Sequence, residues 1–372
     1  MKLIKASESH SKELIEYYSS VTVSGSTDFQ VERQGNFFNQ YKILSDDYVT
    51  YILRDEKDHK INATATLLFK RGWIDGEEQT IGFATDLRVT PNRKAIVSWA
   101  EYFLPILREE KSKRNCKYIF SVVSDLQSQA YNAFVRPRTK RKNMPRYFLF
   151  NRFDIVGLHG MYPFSHKPLK TLYTNRATQS DFEALSHYVS QKMQERPLYF
   201  DHKPNDFKNN LLRWKNLLMN DFLISKDSYG NIVGCVGLWK PDSTEKYTIN
   251  KYSDHHLALK EALTFFSYFK MTRKLPDEGD PLNTYMLTYL LADNPDIFYS
   301  LLVRAYQETA KEKAFLCYPR FYGNLLYAPP KAFFKSSFGC GLYCVLDPED
   351  PIPDFIKPKL FNKPPHFELA FI

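Results

Sequence analysis

Long apolar runs are what this 372-residue sequence most clearly lacks. No stretch of about 18 residues is both apolar and free of charge, so no membrane-spanning helix is expected. The opening residues, MKLIKASESHSKEL, also lack the apolar core of a secretory signal. These two absences predict a cytoplasmic protein without a membrane partner.

Cysteine is also scarce, and the five cysteines are scattered along the chain. An odd number in a chain of this length does not suit a disulfide framework and is typical of a reduced compartment. Metal ligands are equally hard to assemble, because the two histidines of Asp254-His255-His256 point in different directions and no third ligand has a matching spacing. We therefore expect no metal site. No Ser-His-Asp set can be assigned from spacing either.

Aromatic residues, by contrast, are abundant, with 25 Tyr and 29 Phe in a sequence that is 43% hydrophobic. Such a chain can bury a large core, and its length suggests two domains. The formal net charge is +9 and the isoelectric point is about 9.0. This balance favours anionic partners, among which CoA phosphates, nucleic acid and acidic lipids remain open.

An internal repeat supports the division into two domains. The segment LYTNRATQSDFEAL (172–185) restates the pattern of LIKASESHSKEL near the start, and Arg176 falls 171 positions after Lys5. Ile232 falls the same 171 positions after Ile61 in a separate strand-like segment. One constant shift across two elements indicates a duplicated unit. We predict domains at 1–165 and 166–372, the second with a helical insertion at 252–280 and an extended, Pro-rich surface tail.

Each half predicts the same order of elements: a strand, two helices, three antiparallel strands, a long helix, a strand, a helix and a final strand. The fold class is therefore α/β (α+β), with a mixed, mostly antiparallel twisted sheet flanked by helices in each half. The clearest predictions are strands at 48–55, 61–70, 79–89 and 117–124, a helix at 93–110, a strand pair at 146–157 and short helices at 126–135 and 328–336. A strand at 284–292 and a helix at 296–311 repeat the plan.

This order resembles the GNAT (GCN5-related N-acetyltransferase) superfamily, over nearly the whole chain. The most family-like stretch is DLRVTPNR, from Asp86 to Arg93. The resemblance implies that pantetheine lies along the end of the 79–89 strand and that the pyrophosphate lies at the start of the following helix, where free amides suit an anion. The implied acyl-CoA-binding residues are Leu87, Arg88, Val89, Arg93, Lys94, Ala95, Ile96, Val97 and Ser98.

The same motif differs between the halves. Ile96 and Ser98 stand where the family has glycines, and in the second half the loop is replaced by Ala292-Asp293-Asn294-Pro295-Asp296, whose carboxylates would repel phosphate. The resemblance therefore places acetyl-CoA, or another acyl-CoA, in the first half only. Such a transferase acetylates an amine, carried by a small molecule or a protein, and we expect the acceptor to enter between the halves.

Two residues are candidates for the chemistry. Asp86 lies on the cleft strand and is our candidate base, and strict alternation would place it on one face with Ala84 and Arg88. An ion pair with a nearby Arg or Lys is the other interpretation of Asp86. The family tends to carry a tyrosine that protonates the leaving thiolate, at a position occupied here by Phe134, so Tyr131 is the candidate acid.

Two other functions stay open at this point. The missing glycines and a basic run fit an aminoacyl-tRNA-dependent, Fem-type transferase, although such a run is more often a solvated loop. A non-catalytic GNAT-fold binding module would also explain the lost glycines and tyrosine. The basic run comprises Arg136, Arg138, Lys140, Arg141, Lys142 and Arg146.

Overall fold

The computed structural model describes residues 1–22, 27–125, 135, 144–357 and 363–371. The strands are β1 Lys2–Lys5, β2 Thr27–Arg33, β3 Asp47–Arg54, β4 Ile61–Ile74, β5 Glu77–Val89, β6 Cys116–Ser124, β7 Arg146–Met161, β8 Tyr173–Arg176, β9 Leu198–Tyr199, β10 Phe222–Lys226, β11 Ile232–Trp239, β12 Glu245–Tyr252, β13 Thr284–Ala292, β14 Phe315–Phe321 and β15 Phe333–Leu346. The helices are α1 Ser11–Ser20, α2 Asn39–Leu44, α3 Arg93–Lys113, α4 Phe182–Gln194, α5 Pro204–Arg213, α6 Asp254–Ser267 and α7 Pro295–Glu308.

One continuous sheet of 13 strands runs through both halves of the chain. Its order is β1-β3-β4-β5-β6-β15-β7-β14-β13-β11-β10-β8, with β9 paired to β4, while β2 and β12 form a separate two-stranded ribbon. Most pairs are antiparallel. The parallel pairs β5–β6 and β13–β14 are each joined by a crossover helix, α3 and α7 respectively, as parallel strands require.

The last strand of each half is exchanged with the other half. β7 pairs with β14, and β15 pairs with β6, so the two exchanged strands lie side by side in the centre of the sheet. The α/β class with a mostly antiparallel sheet is confirmed, but the two expected sheets are joined into one. The domain boundary at 165/166 therefore stays a prediction.

The pairing of the first half recurs in the second. β8 begins and ends 171 positions after β1, and β11 begins 171 positions after β4. The corresponding helices lie on corresponding faces of the sheet: α3 and α7 cover one face, and α1, α2, α4 and α5 cover the other.

Some local predictions were wrong. The expected strand pair at 146–157 is the single strand β7, and the expected helix at 328–336 is irregular chain followed by the start of β15. The expected helix at 126–135 lies outside the described residues except for its last position. No described helix is both long and apolar enough to cross a membrane.

The end of the chain is more deeply buried than the Pro-rich tail suggested. Residues 347–357 are mostly irregular and exposed or half-buried, except that Phe355 in a short 3-10 turn is buried in the core. The following segment, His366 to Phe371, is buried across the centre of the α1/α2 face of the sheet. There the ring of Phe371 lies 4.5 Å from that of Phe83 on β5.

Candidate functional site

The parallel strands β5 and β6 diverge after a short paired region, and we call the gap between them the first splay. Their pairing runs from Thr80↔Cys116 to Ala84↔Ser121. Beyond Ala84, residues 85–89 of β5 have no strand on that side among the described parts of the chain. An unpaired strand edge leaves backbone groups free for a ligand that pairs like a strand.

A β-bulge at Asp86 shapes this edge. Thr85 pairs with Thr66 and Arg88 pairs with Thr64, so two residues of β5 stand opposite one residue of β4. Asp86 has φ of +54°, in the left-handed region that non-glycine residues adopt rarely. Bulges of this kind occur near functional sites because they redirect side chains.

The bulge also changes which residues share a face. Ala84, Leu87 and Val89 pack towards α3, whereas Asp86 and Arg88 contact α1 on the opposite face. The expectation that Ala84 shares a face with Asp86 and Arg88 was wrong, because the extra residue shifts the alternation.

A cavity lies between the first splay and α3. It is small and partly open to solvent. Trp99 lines it, and the Nε1–H of this buried indole has no hydrogen-bond partner among the described residues. A ligand carbonyl in the cavity could accept that hydrogen. The lining is mostly apolar and comprises Tyr51, Ala65, Thr66, Leu67, Ala84, Thr85, Leu87, Trp99, Phe103, Ile106, Ser121 and Tyr147.

The start of α3 presents positive charge beside the splay. Asn92 caps the helix by accepting a hydrogen bond of 2.7 Å from the Ala95 amide. The amides of Arg93 and Lys94 have no acceptor within the helix, as at any helix N-terminus. Lys94 forms an exposed ion pair of 2.8 Å with Asp55, whereas Arg93 forms none with the described residues. This helix end suits an anion.

The predicted acyl-CoA-binding residues therefore divide into three groups. Leu87 lines the cavity and Val89 packs beside it, while Arg93, Lys94, Ile96 and Val97 are exposed at the start of α3. Ala95 is buried beneath them and Ser98 is half-buried.

Arg88 points away from the first splay. Its guanidinium lies over the Tyr18 ring at 3.4 Å and donates to the carbonyl oxygens of Tyr18 and Val21. A side chain held in this way fastens α1 to β5 and is turned away from the cavity.

Asp86 forms a buried ion pair with Arg33 of β2. Its carboxylate also accepts hydrogen bonds from the hydroxyls of Tyr18 and Tyr41, at 2.6 and 2.7 Å. Arg33 in turn contacts Glu245 of β12 at 2.5 Å, so the ion pair links the two halves. Burial opposes the charge of Arg33, but the two carboxylates hold its pKa well above the usual value. A role for Asp86 as a base stays a prediction, which these occupied oxygens disfavour.

Tyr131 lies outside the described residues, and its role as the acid stays a prediction. The basic run is also outside them except for Arg146, which begins β7 and donates to the backbone oxygen of Asp347 at 3.3 Å. The observations that favoured a tRNA-borne donor therefore gain no support from the described structure.

The strands β13 and β14 form a second splay with the same backbone design. Their pairing stops at Met286↔Cys317, and a bulge places Tyr289 at φ of +48°. Thr288 pairs with Gly237 and Leu291 pairs with Cys235. Two residues of β13 therefore stand opposite one residue of β11, as two residues of β5 stand opposite one residue of β4. Tyr289 therefore corresponds to Asp86.

Side chains of this chain itself occupy the second splay. The Tyr289 amide donates to Glu368 Oε1 at 2.9 Å, and the Ala292 amide donates to the Tyr327 hydroxyl at 3.2 Å. The corresponding amides of the first splay belong to residues 86 and 89. Within the described ranges, these two amides meet no such side chain.

The helix that follows the second splay is closed to anions. Asn294 accepts hydrogen bonds from the amides of Asp296 and Ile297, and Pro295 has no amide hydrogen. Asp293 adds a carboxylate in front of the helix, held by Lys192 at 2.8 Å. The loop before α7 therefore presents a carboxylate and amides that are already bonded, and both features are unfavourable for phosphate.

Between the two splays lies a buried polar cluster built around Asp201. This side chain is 0% exposed. Its Oδ1 accepts hydrogen bonds from the Asn210 amide at 2.6 Å and the Tyr289 hydroxyl at 3.5 Å, whereas Oδ2 has no partner among the residues the structure describes. Burial raises the pKa of Asp201, because the charged form loses hydration.

His366 and Glu368 complete this central cluster. His366 Nε2 lies 2.7 Å from Glu368 Oε1, and the buried Nδ1 has no hydrogen-bond partner in the described structure. In a neutral imidazole that donates from Nε2 to Glu368, Nδ1 would be the hydrogen-bond acceptor. Burial also lowers the pKa of nearby Lys70 to about 8. Groups with such perturbed environments are typical of functional sites.

Sequence reasoning missed the central cluster. Its members come from β4, the loop after β9, and the final segment, so no spacing along the chain connects them. The one available signal was the segment HFELAF at 366–371, which alternates polar and apolar residues after a Pro-rich stretch. Such alternation is typical of a half-buried extended segment.

Comparison with solved structures identifies the fold. N-myristoyltransferase from Saccharomyces cerevisiae, solved with bound myristoyl-CoA and inhibitors, matches at a TM-score of 0.56 with 11% identity, over 93% of this chain and 80% of that one. A second structure of the yeast enzyme, with bound myristoyl-CoA, matches at 0.56 with 11% identity over 92% and 82% of the two chains. The predicted GNAT-type fold in a double arrangement is thereby confirmed.

A GCN5-related N-acetyltransferase from Sphaerobacter thermophilus matches at a TM-score of 0.48 with 9% identity, over 81% of each chain. No protein-family model and no curated protein matches this sequence.

Proposed function

We propose that this chain is an N-acyltransferase that takes its acyl group from an acyl-CoA bound at the first splay. One observation carries the proposal: two splays share a backbone design, but within the described parts of the chain only the second has its edge amides bonded to the chain's own side chains. The first also has a cationic helix start. A cavity adjoins each splay, and the cavity at the second is lined by Leu287, Tyr327 and Glu368 among others. Yeast N-myristoyltransferase, which shares the fold, has been solved with an acyl-CoA.

The proposed donor lies along β5 with its phosphates at the start of α3. The free amides and the charge of Arg93 would hold the pyrophosphate, and the cavity under Trp99 would hold the thioester end. The amides of Asp86 and Val89 would donate to the thioester oxygen as it gains negative charge, which is the usual way to stabilise such an intermediate. Titration with acyl-CoAs of different chain lengths will show which acyl group the site prefers.

The proposed acceptor is an amine that reaches the central cluster. Asp201 Oδ2 would bind its ammonium group, and His366 Nδ1 would accept one proton, with Glu368 stabilising the resulting imidazolium. The neutral nitrogen then bonds to the carbonyl carbon, the C–S bond breaks, and the second proton of the nitrogen neutralises the leaving thiolate. The Phe200 ring lies 5.9 Å from that of Phe83 on β5 and 6.3 Å from that of His366, which connects cluster and splay.

The donor site is tested by calorimetric titration with acetyl-CoA, a long-chain acyl-CoA and CoA. We expect saturable binding, and we expect Arg93→Glu to weaken it about tenfold or more because the charge at the pyrophosphate is reversed. Lys12→Glu is the matched control, because Lys12 is an exposed lysine on α1 with no ion pair to the described residues. Equal losses in both variants, or no binding at millimolar ligand, would refute the proposal.

A further inference from the structure

Five aromatic side chains form a connected surface row where the ends of α6, β7 and β15 meet. Ring centroids lie 5.5 Å apart for Phe269–Phe265 and Phe265–Phe266, 5.4 Å for Phe266–Phe334 and 4.0 Å for Phe334–Tyr162. We call these five residues the aromatic ridge. Its members come from three distant parts of the chain, so the fold itself assembles it.

The aromatic ridge is unusually exposed for its composition. Phe269, Phe265 and Tyr162 are 62%, 59% and 44% exposed, and the adjoining Tyr268 and Phe164 are 80% and 98% exposed. Exposed apolar surface of this extent is costly in water, and contiguous patches of it mark interaction sites.

The backbone beneath the aromatic ridge is well fixed. The Met161 amide donates to the Met271 oxygen at 2.9 Å, and the Tyr162 amide donates to the Ala332 oxygen at 2.9 Å. These bonds hold the end of β7 between α6 and β15. The rings therefore project from a defined surface.

Five lysines lie close to the aromatic ridge in the sequence. They stand within a few residues of it in the turn after β7, at the end of α6 and at the start of β15, and none forms an ion pair with the described residues. The acidic residues of α6, Asp254 and Glu261, lie a turn or more before the ridge. The lysines are Lys167, Lys170, Lys270, Lys331 and Lys335.

We propose that the aromatic ridge docks this protein on an anionic lipid surface. Aromatic rings favour the boundary between head groups and acyl chains, and lysines beside them reach the acidic head groups. A second copy of the chain fits less well, because a symmetric interface would bring the same unpaired lysines together. The sequence predicted no membrane partner from the absence of a spanning helix, but surface docking requires no such helix.

Co-sedimentation with vesicles tests the proposal. The full chain is mixed with phosphatidylcholine vesicles with and without phosphatidylserine, and we expect binding chiefly to the vesicles that contain phosphatidylserine. Phe265→Ser with Phe269→Ser should lower partitioning by about tenfold for each ring lost, because each ring would otherwise leave water. Lys167→Glu with Lys270→Glu should abolish the preference for phosphatidylserine.

Tyr229→Ser is the matched control, since Tyr229 is 89% exposed in the hairpin between β10 and β11, and it should bind vesicles like the wild type. All substituted side chains are exposed, so the thermal unfolding temperature should not change. The proposal is overturned if the wild type does not sediment with either vesicle, or if the ridge variant sediments equally well. It is also overturned if the wild type forms a dimer that the ridge variant loses, which would make the ridge a contact between copies.

Discussion

The first and second splays are built from the same strand pairing, yet among the described residues only the second has its edge amides bonded to side chains of the chain itself. Both have a parallel pair that separates after a few residues, and both carry a bulge with a non-glycine residue at positive φ. In the second splay, Glu368 and Tyr327 accept hydrogen bonds from the edge amides. The comparison teaches that a splay leaves backbone donors that need partners, supplied either by a ligand or by side chains.

The first turns of α3 and α7 also differ in how well they suit an anion. At the α3 start, the amides of Arg93 and Lys94 have no acceptor within the helix. At the α7 start, Pro295 has no amide hydrogen and Asn294 accepts hydrogen bonds from the next two amides. The nearby carboxylate of Asp293 also repels anions. The two differences are independent of each other, and both favour the proposed binding of the anionic ligand in the first half.

Removing the proposed base is expected to have the largest effect. His366→Gln keeps a donor for Glu368 but has no basic nitrogen, so amine acylation should fall by about 10²- to 10⁴-fold. If His366 only supported Glu368 in bonding the edge amide of the second splay, the His366→Gln variant would keep its acylation activity. The measurement is the acylation rate at saturating acyl-CoA, with acyl-CoA affinity measured in parallel and expected to stay the same.

His159→Gln is a closely matched control for His366→Gln. Both histidines are 7% exposed, both bond through Nε2, and both have a buried Nδ1 without a partner in the described residues. His159 bonds to Ser336 and packs against Phe315, outside the proposed site of the chemistry, and its substitution should leave the rate unchanged. Comparable losses in both variants would mean that His366 has a structural role only.

A residue that lines the first splay can also be replaced by its equivalent from the second. Leu287 of β13 occupies the position in the second splay that Ala84 of β5 occupies in the first, since Leu287 pairs with Leu238 and Ala84 pairs with Leu67. Ala84→Leu therefore introduces the larger side chain of the second splay into the first. Because Ala84 lines the cavity, the larger side chain should weaken acyl-CoA binding about 10- to 100-fold, which corresponds to an overpacking cost of about 1–3 kcal/mol. Calorimetric titration measures the change.

The reciprocal change, Leu287→Ala, should not create a second acyl-CoA site, since Glu368 and Tyr327 still occupy the amides. It should lower the free energy of unfolding by about 2–5 kcal/mol, because Leu287 is buried. Two bound acyl-CoA molecules per chain in this variant would contradict the comparison.

Much of the first splay could be predicted from sequence, and the reasons are local. Strand 79–89 and the helix beginning at Arg93 follow from β-branched content, a proline and apolar spacing, and they were found at Glu77–Val89 and Arg93–Lys113. The bulge at Asp86 could not be predicted, because strict alternation has no place for an extra residue. The partners of Asp86 come from β2 and, through Arg33, from β12, far away in the sequence.

The central cluster and the strand exchange were beyond prediction for a related reason. Asp201, His366 and Lys70 meet only because the final segment crosses the sheet face, and β7 and β15 exchange places only because both halves exist together. Such contacts depend on the assembled fold and leave no period or motif in any single stretch of chain.

The smallest expected effect concerns the closure of the second splay itself. Tyr327→Phe removes the hydroxyl that accepts the Ala292 amide and leaves a buried donor unpaired, which should lower the free energy of unfolding by about 1–3 kcal/mol. Tyr322→Phe removes an exposed hydroxyl bonded to Asp154 at 2.9 Å and should cost less than about 0.5 kcal/mol. Denaturant unfolding measures both. Equal stability of the two variants would show that the Ala292 amide does not depend on Tyr327, and the closure of the second splay would then rest on the bond between the Tyr289 amide and Glu368.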